Sequence, residues 1–356
     1  MPVRRGVMGS NPVSERRWNP ILREWVITAT HRQDRTFLPP RDYCPLCPTL
    51  PDASVPTEVP AATYEIVVFE NRFPSLHPVA PEAAIEATEL YPVAPANGVC
   101  EVVLYTSDHD STLADRSVEE IDQLIQVWTD RSVDLASRAD VEYVMPFENK
   151  GAIIGVTLTH PHGQIYAFPF VPPKIAQEFA SGKAHREETG SCLFCDVVEE
   201  ELRDGRRVIW ENTCWVAFVP FYARWPYEVH VYAKAHVLSL ANLTEDERYA
   251  LAEALKAVLL KYDNLWNFSM PYLMAVHQAP CGDIDASSFH LHVEFYPPHR
   301  TPVKLKYLAS VETSAGTFIN DTLPEETAAT LRAVLPHGVP DLAAVPLWRT
   351  KGVAGL

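Results

Sequence analysis

The chain repeats itself. Glu101-Val102 recurs as Glu228-Val229, Tyr105 as Tyr232, His109 as His236, Leu113-Ala114 as Leu240-Ala241 and Glu120 as Glu247, every pair at an offset of 127 residues. Chance does not readily give so many matches at one offset, and a duplicated pattern of apolar residues asks for two related folding units. The order of motifs repeats too: a C-x-x-C, an Glu-Asn pair (Glu70-Asn71 and Glu211-Asn212), a strand running toward a histidine, a helix, and an H-x-H. The offset drifts to 141 at the Glu-Asn pair and 130 at the H-x-H, as loop insertions would cause.

Each half reads as mixed α and β. Enrichment in β-branched and aromatic residues predicts strands over 64–69, 101–105, 153–158 and 164–168, then over 229–232, 272–276 and 291–296. Ser117-x-x-Glu120 and Thr244-x-x-Glu247 are capping boxes, in which the hydroxyl and the carboxylate each satisfy a backbone N–H left over at the helix start. They open amphipathic helices to about Ala139 and Tyr262, with Ile121, Leu124, Ile125 and Trp128 spaced for one buried face. Prolines gather over 39–60, 74–95 and 169–173, which marks irregular loops and a boundary near Pro173. The expected organisation is a flexible tail over 1–17, a first half over 18–173, a second half over 174–335 and a C-terminal tail over 336–356.

With 30 basic against 46 acidic residues and a net charge of −16, most of the surface repels a phosphodiester backbone, so nucleic acid is not an expected partner. A small phosphorylated ligand needs only a few local arginines. No apolar run approaches the ~20 residues of a membrane span, and no apolar stretch follows the basic start, so neither membrane nor secretory signal is expected. A cytoplasmic setting follows, where seven cysteines, four of them in Cys44/Cys47 and Cys192/Cys195, point to metal ahead of disulfide. Reduced pairs in ordinary turns are the alternative.

The chemistry concentrates at His160-Pro161-His162-Gly163-Gln164, which leads into a strand whose alternation puts both histidines and Gln164 on one face. A neutral imidazole can attack a phosphoanhydride phosphorus, and it stays oriented if its other nitrogen donates to a fixed acceptor. Gln164 neither takes nor gives a proton, but its amide can donate to phosphoryl oxygens. Such a site suits transfer to an acceptor that is already ionised better than hydrolysis. Two core histidines, or a zinc-stabilised binding module without catalysis, are the competing readings.

Cys44 and Cys47 stand at zinc-turn spacing, with His109 and His160 available to complete a tetrahedron. The second half offers a parallel set in Cys192, Cys195, His236 and His290. His277, His290 and His292, joined by an acid such as Glu178, form a further candidate set. Arg32 and Arg35 could grip successive phosphates, or could sit on a solvated turn. The stretch 147–151 reads as a polar loop in which Asn149 could orient a sugar or phosphate.

Together these residues resemble the galactose-1-phosphate uridylyltransferase family, a branch of the histidine-triad superfamily. The likeness runs from about Trp18 to Arg332 and rests on H-R-x-x-R at His31, C-P-L-C at Cys44, E-N-R-F-P-S-L at Glu70, F-E-N-K-G at Phe147, H-P-H-G-Q at His160, K-A-H-V-L at Lys234, F-H-L-H at Phe289 and F-Y-P-P at Phe295. The resemblance implies an α+β fold of two tandem histidine-triad-like repeats, each a mostly antiparallel sheet with packed helices. It implies ping-pong exchange of UMP between UDP-glucose and galactose 1-phosphate, with His162 transiently uridylylated and Gln164 on the phosphoryl oxygens. By matched position Phe69 and Asn71 would contact uridine, while Arg32, Arg35, Asn149 and Thr157 would hold phosphates and hexose. Cys44, Cys47, His109 and His160 match zinc ligands, and Glu178, His277, His290 and His292 match a second structural site of iron or zinc.

Family members are dimers with shared active sites, so a homodimer is implied, with Lys306, Tyr307 and Glu312 reaching the partner's hexose. Val311 and Phe318 stand where bacterial members carry a tyrosine and a glutamine, and Arg72 replaces an acidic residue near uridine. These departures leave uridylyl transfer intact and leave the hexose open; a sugar-nucleotide phosphorylase using another base is the neighbouring alternative. His290 cannot serve both a Cys192/Cys195/His236 set and the iron-type set.

Overall fold

A computed structural model describes residues 13–34, 38–39, 44–51, 56–282 and 285–334. The first half comprises β1 (Ser14–Asn19), β2 (Glu24–Ala29), β3 (Val67–Glu70), β4 (Val93–Pro95), β5 (Val99–Leu104), α1 (Val118–Ala136), β6 (Tyr143–Lys150) and β7 (His162–Phe168). The second begins with α2 (Pro173–Thr189) and α3 (Leu193–Asp204), followed by β8 (Val208–Glu211), β9 (Trp215–Phe218), β10 (Val229–Ala233) and α4 (Glu245–Leu265). It continues through β11 (Tyr272–His277), β12 (His292–Tyr296), β13 (His299–Thr301), β14 (Lys304–Leu305), α5 (Ser310–Ala315) and α6 (Pro324–Ala333).

The two halves do not form two sheets. They share one antiparallel sheet of nine strands in the order β3-β5-β7-β6-β11-β12-β10-β9-β8. The seam is the pairing of β6 with β11, where Asn149 faces Leu273 and Glu148 faces Met274. Around it β5-β7-β6 is mirrored by β10-β12-β11, which is the duplication made visible. A separate three-stranded sheet, β2-β1-β4, flanks the first half.

Both capping boxes form. The Ser117 and Thr244 hydroxyls accept from the N–H of Glu120 and Glu247, and both carboxylates return the bond. Helices α1 and α4 lie side by side on one face of the sheet, joined by Arg248 and Asp122 at 2.8 Å. Their apolar faces supply the main core, in which Ile121, Leu124, Ile125 and Trp128 are fully buried.

Four readings of the sequence are corrected. Residues 153–158 are a short 3-10 turn and irregular chain, not a strand, and Gly155 at φ 87° breaks any extended run. Residues 147–150, read as a loop, belong to strand β6, whose polar side chains are tolerated because alternate positions face a cleft and a buried network. The expected tail includes Ser14 to Arg17, which lie in β1. Glu70-Asn71 and Glu211-Asn212 are not equivalent: β3 pairs with β5 as β9 pairs with β10, whereas Glu211 ends β8, one strand further out. Arg35, residues 1–12 of the expected N-terminal tail and the whole of the expected C-terminal tail over 336–356 lie outside the described residues.

Candidate active site and metal clusters

On the face of β5, β7 and β6 away from the helices lies a cleft. It is lined by His162, Gln164 and Tyr166 of β7, Phe147 and Asn149 of β6, Phe69 and the Asn71–Phe73 turn after β3, Arg32, and Thr157 of the irregular segment. Alternation along β7 explains this: Gly163, Ile165 and Ala167 point into the core while His162, Gln164 and Tyr166 face the cleft. Thus every described residue expected to bind substrate in the first half meets at one place. Glu58 and Arg72, 3.3 Å apart, line the same cleft near Phe69 and Phe73.

His162 Nδ1 lies 2.8 Å from the His160 carbonyl. A carbonyl only accepts, so Nδ1 carries the proton and Nε2 presents a lone pair. Burial lowers the pKa of this imidazole, against the raising effect of the same hydrogen bond, and favours the neutral ring that nucleophilic attack requires. Two arginine contacts set Arg32: its Nη1 donates to the Phe73 carbonyl at 2.9 Å and approaches the Tyr166 hydroxyl at 3.5 Å.

His160 does not share the face of His162. It precedes β7, is fully buried, and turns to the Cys44/Cys47/His109 group, whose ligand atoms all lie within 4.8 Å of one another. Its Nδ1 is 3.5 Å from Cys47 Sγ, and His109 Nδ1 is 3.3 Å from the same sulfur. Tetrahedral zinc with bonds of about 2.3 Å to sulfur and 2.0–2.1 Å to nitrogen spans S···N edges of about 3.6 Å, so the four residues fit that ion. His160 Nε2 donates to the Thr106 carbonyl at 2.9 Å, which fixes the tautomer with Nδ1 bare, and burial pushes its pKa down to about 4.

The second half repeats the arrangement. Cys195 Sγ is 3.5 Å from both His236 Nδ1 and His290 Nδ1, and His290 Nε2 donates to the Ala233 carbonyl at 2.9 Å. The geometry thus groups His290 with Cys192, Cys195 and His236. The separate acidic cluster is therefore Glu178, His277, His292 and Glu294. Glu294, which sequence reasoning missed, is two residues past His292 on the same strand face, as Gln164 is past His162. His277 stands between Glu178 at 3.0 Å and Glu294 at 3.2 Å, and Lys174 bonds Glu294. The bond from His292 Nδ1 to the His290 carbonyl leaves Nε2 bare, buried and without a hydrogen-bond partner, aimed at the carboxylates. That orphaned lone pair among hard oxygens fits a divalent cation of iron or zinc type.

Lys306, Tyr307 and Glu312 are not in the cleft. Lys306 is buried against Glu312 at 3.2 Å and is held by the Ile319 carbonyl, while Tyr307 is 74% exposed and Val311 half-exposed. Phe318 carries the Arg224 guanidinium at 5.0 Å from its ring.

A neutral histidine held by a backbone carbonyl, with a non-titrating amide two residues on and a cysteine–histidine cluster behind, is an arrangement suited to nucleophilic transfer of a phosphoryl-linked group without a general acid. Family models for the N-terminal and C-terminal domains of galactose-1-phosphate uridyl transferase match residues 8–172 and 175–338. The chain belongs to that family. A galactose-1-phosphate uridylyltransferase of Thermotoga maritima is 42% identical over 89% of this chain and 98% of its own length, and one of Streptomyces lividans is 39% identical over 93% and 90%. The solved structure of a uridylyltransferase superposes with a TM-score of 0.80 at 37% identity, covering 90% of this chain and 98% of that one. An ADP-glucose phosphorylase from Arabidopsis thaliana, solved with ADP-glucose, gives 0.67 at 25% identity, covering 90% and 99%.

Proposed function

We propose that this chain is a UDP-glucose:hexose-1-phosphate uridylyltransferase, with galactose 1-phosphate as acceptor, working by ping-pong exchange through His162. The observation that carries the reading is the bond between His162 Nδ1 and the His160 carbonyl, which leaves Nε2 unprotonated in the cleft beside Gln164. In the first half-reaction Nε2 attacks the α-phosphorus of UDP-glucose, the bond to the bridging oxygen breaks, and glucose 1-phosphate departs as an anion that needs no proton. Gln164 donates to the non-bridging oxygens as charge grows there. A phosphate oxygen of galactose 1-phosphate then attacks the uridylyl phosphorus, forming UDP-galactose and returning the electron pair to Nε2. No general acid is required at either step, which agrees with an amide at position 164.

Zinc is the ion proposed for the Cys44/Cys47/His109/His160 and Cys192/Cys195/His236/His290 groups, and iron or zinc for Glu178/His277/His292/Glu294. Bound at the first group, the ion would supply folding stability and would hold His160, whose carbonyl orients the nucleophile. The enzyme is proposed to be a cytoplasmic homodimer. The exposure of Tyr307, outside its own chain's cleft, supports a contribution from that side chain to a partner's hexose site, with the buried Lys306–Glu312 pair holding the segment that carries it.

UDP-glucose labelled at the α-phosphate tests the reading. Acid-labile label should reside on His162 and vanish in His162→Ala without loss of folded protein. Absence of label from wild-type enzyme would reject the reading. Arg72, Val311 and Phe318 favour one second reading, a related phosphorylase or transferase with another base or hexose, and stronger labelling by ADP-glucose would establish it.

A further inference from the structure

Gln164 presents a problem of orientation. Its terminal torsion joins sp³ to sp² carbon and has no steep preference between the two ways the amide can face. One puts Nε2 toward the phosphoryl oxygens, where it donates; the other puts Oε1 there, where lone pairs meet. The pairing of Gln164 with Val102 and Phe147 fixes the backbone and leaves this choice open.

We infer that Asn71 is a positioning residue that makes the choice, passing the polarity of one backbone N–H to the catalytic amide. The Asn71 backbone is pinned by its N–H to the Cys100 carbonyl at 2.8 Å. Its Oδ1 accepts from the Phe73 N–H at 2.9 Å. That donor cannot be reversed, so the Asn71 amide cannot flip without setting NH₂ against N–H. Nδ2 must therefore point the other way, where Gln164 Oε1 accepts it at 3.3 Å. With Oε1 engaged, Gln164 Nε2 is turned into the cleft. The same turn holds Arg32 through the Phe73 carbonyl and His31 Nε2 against the Pro74 carbonyl at 2.7 Å, so one short segment orients both the amide and a guanidinium.

The inference rests on the uridylyl-transfer reading and extends the role of Asn71 beyond contact with the nucleoside. Asn71→Asp tests it, because a carboxylate still accepts from Phe73 N–H and keeps the turn. Its other oxygen then takes the Gln164 NH₂, and Oε1 swings toward the phosphate. The single-turnover rate of His162 labelling by UDP-glucose should fall about 100-fold, as for loss of an oxyanion donor, with half-saturation changed less than threefold. Asn71→Asp/Gln164→Ala should react no more slowly than Gln164→Ala. A loss confined to half-saturation, or one that multiplies with Gln164→Ala, would overturn the inference and leave Asn71 a nucleoside contact. Labelling of the wild type tests the underlying reading separately. A readout without turnover decides the relay in either event: the Gln164 side-chain ¹⁵N–¹H resonances, identified by their loss in Gln164→Ala, should shift downfield in Asn71→Asp as they meet a carboxylate. Unchanged resonances would overturn it.

Discussion

Glu148 sits at the seam between the two halves, and its ionisation should add its own pH dependence to the stability of the fold. It is 3% exposed on β6, with the Tyr105 hydroxyl from the first half and the Tyr272 hydroxyl from the second both donating to Oε1 at 3.0 Å. Its Oε2 has no hydrogen-bond partner. Burial pushes its pKa up to about 7, against the lowering effects of the two hydroxyls and of Lys150. A carboxyl whose pKa is raised on folding binds a proton that the unfolded chain has already released. Stability therefore declines from about pH 4.5 to about pH 7 and levels off above, where both states are ionised. The change from 4.5 to about 7, at about 1.4 kcal/mol per pH unit, amounts to roughly 3 kcal/mol. Glu148→Gln keeps the acceptor for both tyrosines and abolishes the titration. Urea melts of the two proteins should nearly coincide at about pH 4 and separate toward pH 8, with the variant gaining up to about 3 kcal/mol relative to the wild type. Every other titrating group is common to both chains and cancels in the difference. Curves that stay parallel over this range would show that Glu148 is ionised throughout, and the argument from its burial would fail.

Other perturbations probe separate parts of the molecule. Cys44→Ser and Cys192→Ser should each cost one equivalent of zinc in metal analysis and lower the thermal midpoint, whereas Glu178→Ala should leave both cysteine sites filled. Gly182 lies in α2, where an added Cβ would collide with the Ser288 carbonyl. Gly182→Ala should destabilise by about 1–3 kcal/mol in urea melts although alanine favours helices. Arg207 is buried between Glu201, Asp204 and Glu325, each at 2.8 Å; Arg207→Met should cost about 3–5 kcal/mol, partly recovered in Arg207→Met/Glu201→Gln, because the loss is chiefly that of an uncompensated buried carboxylate.

Much of the site was readable before any fold was known, and the reasons are local. A capping box is a contact between residues three apart, so Ser117 and Thr244 declare their helices in the sequence. The period of two along β7 places Gln164 and His162 together, and C-x-x-C with two histidines names a ligand set by chemistry alone. Duplication added a second copy of each signal. What the chain could not announce were contacts between segments far apart. His290 was claimed by two groups of residues with equal chemical right, and the decision came from where β12 and α3 meet; Glu294 then filled the vacancy. Likewise His160 and His162 were placed on one face, but β7 starts at the second of them.

The chain by itself thus determined the duplication, the capped helices and the chemical character of the cleft, since each depends on neighbours within a few residues or on a pattern repeated whole. Only the folded molecule decided that two halves would share one sheet through β6 and β11, that 147–150 would be strand, and that Asn71 would touch Gln164. The seam and the Asn71–Gln164 contact join edges and side chains 93 residues or more apart, and 147–150 is strand because it is held between β7 and β11; in each case packing, not local preference, selects the partner.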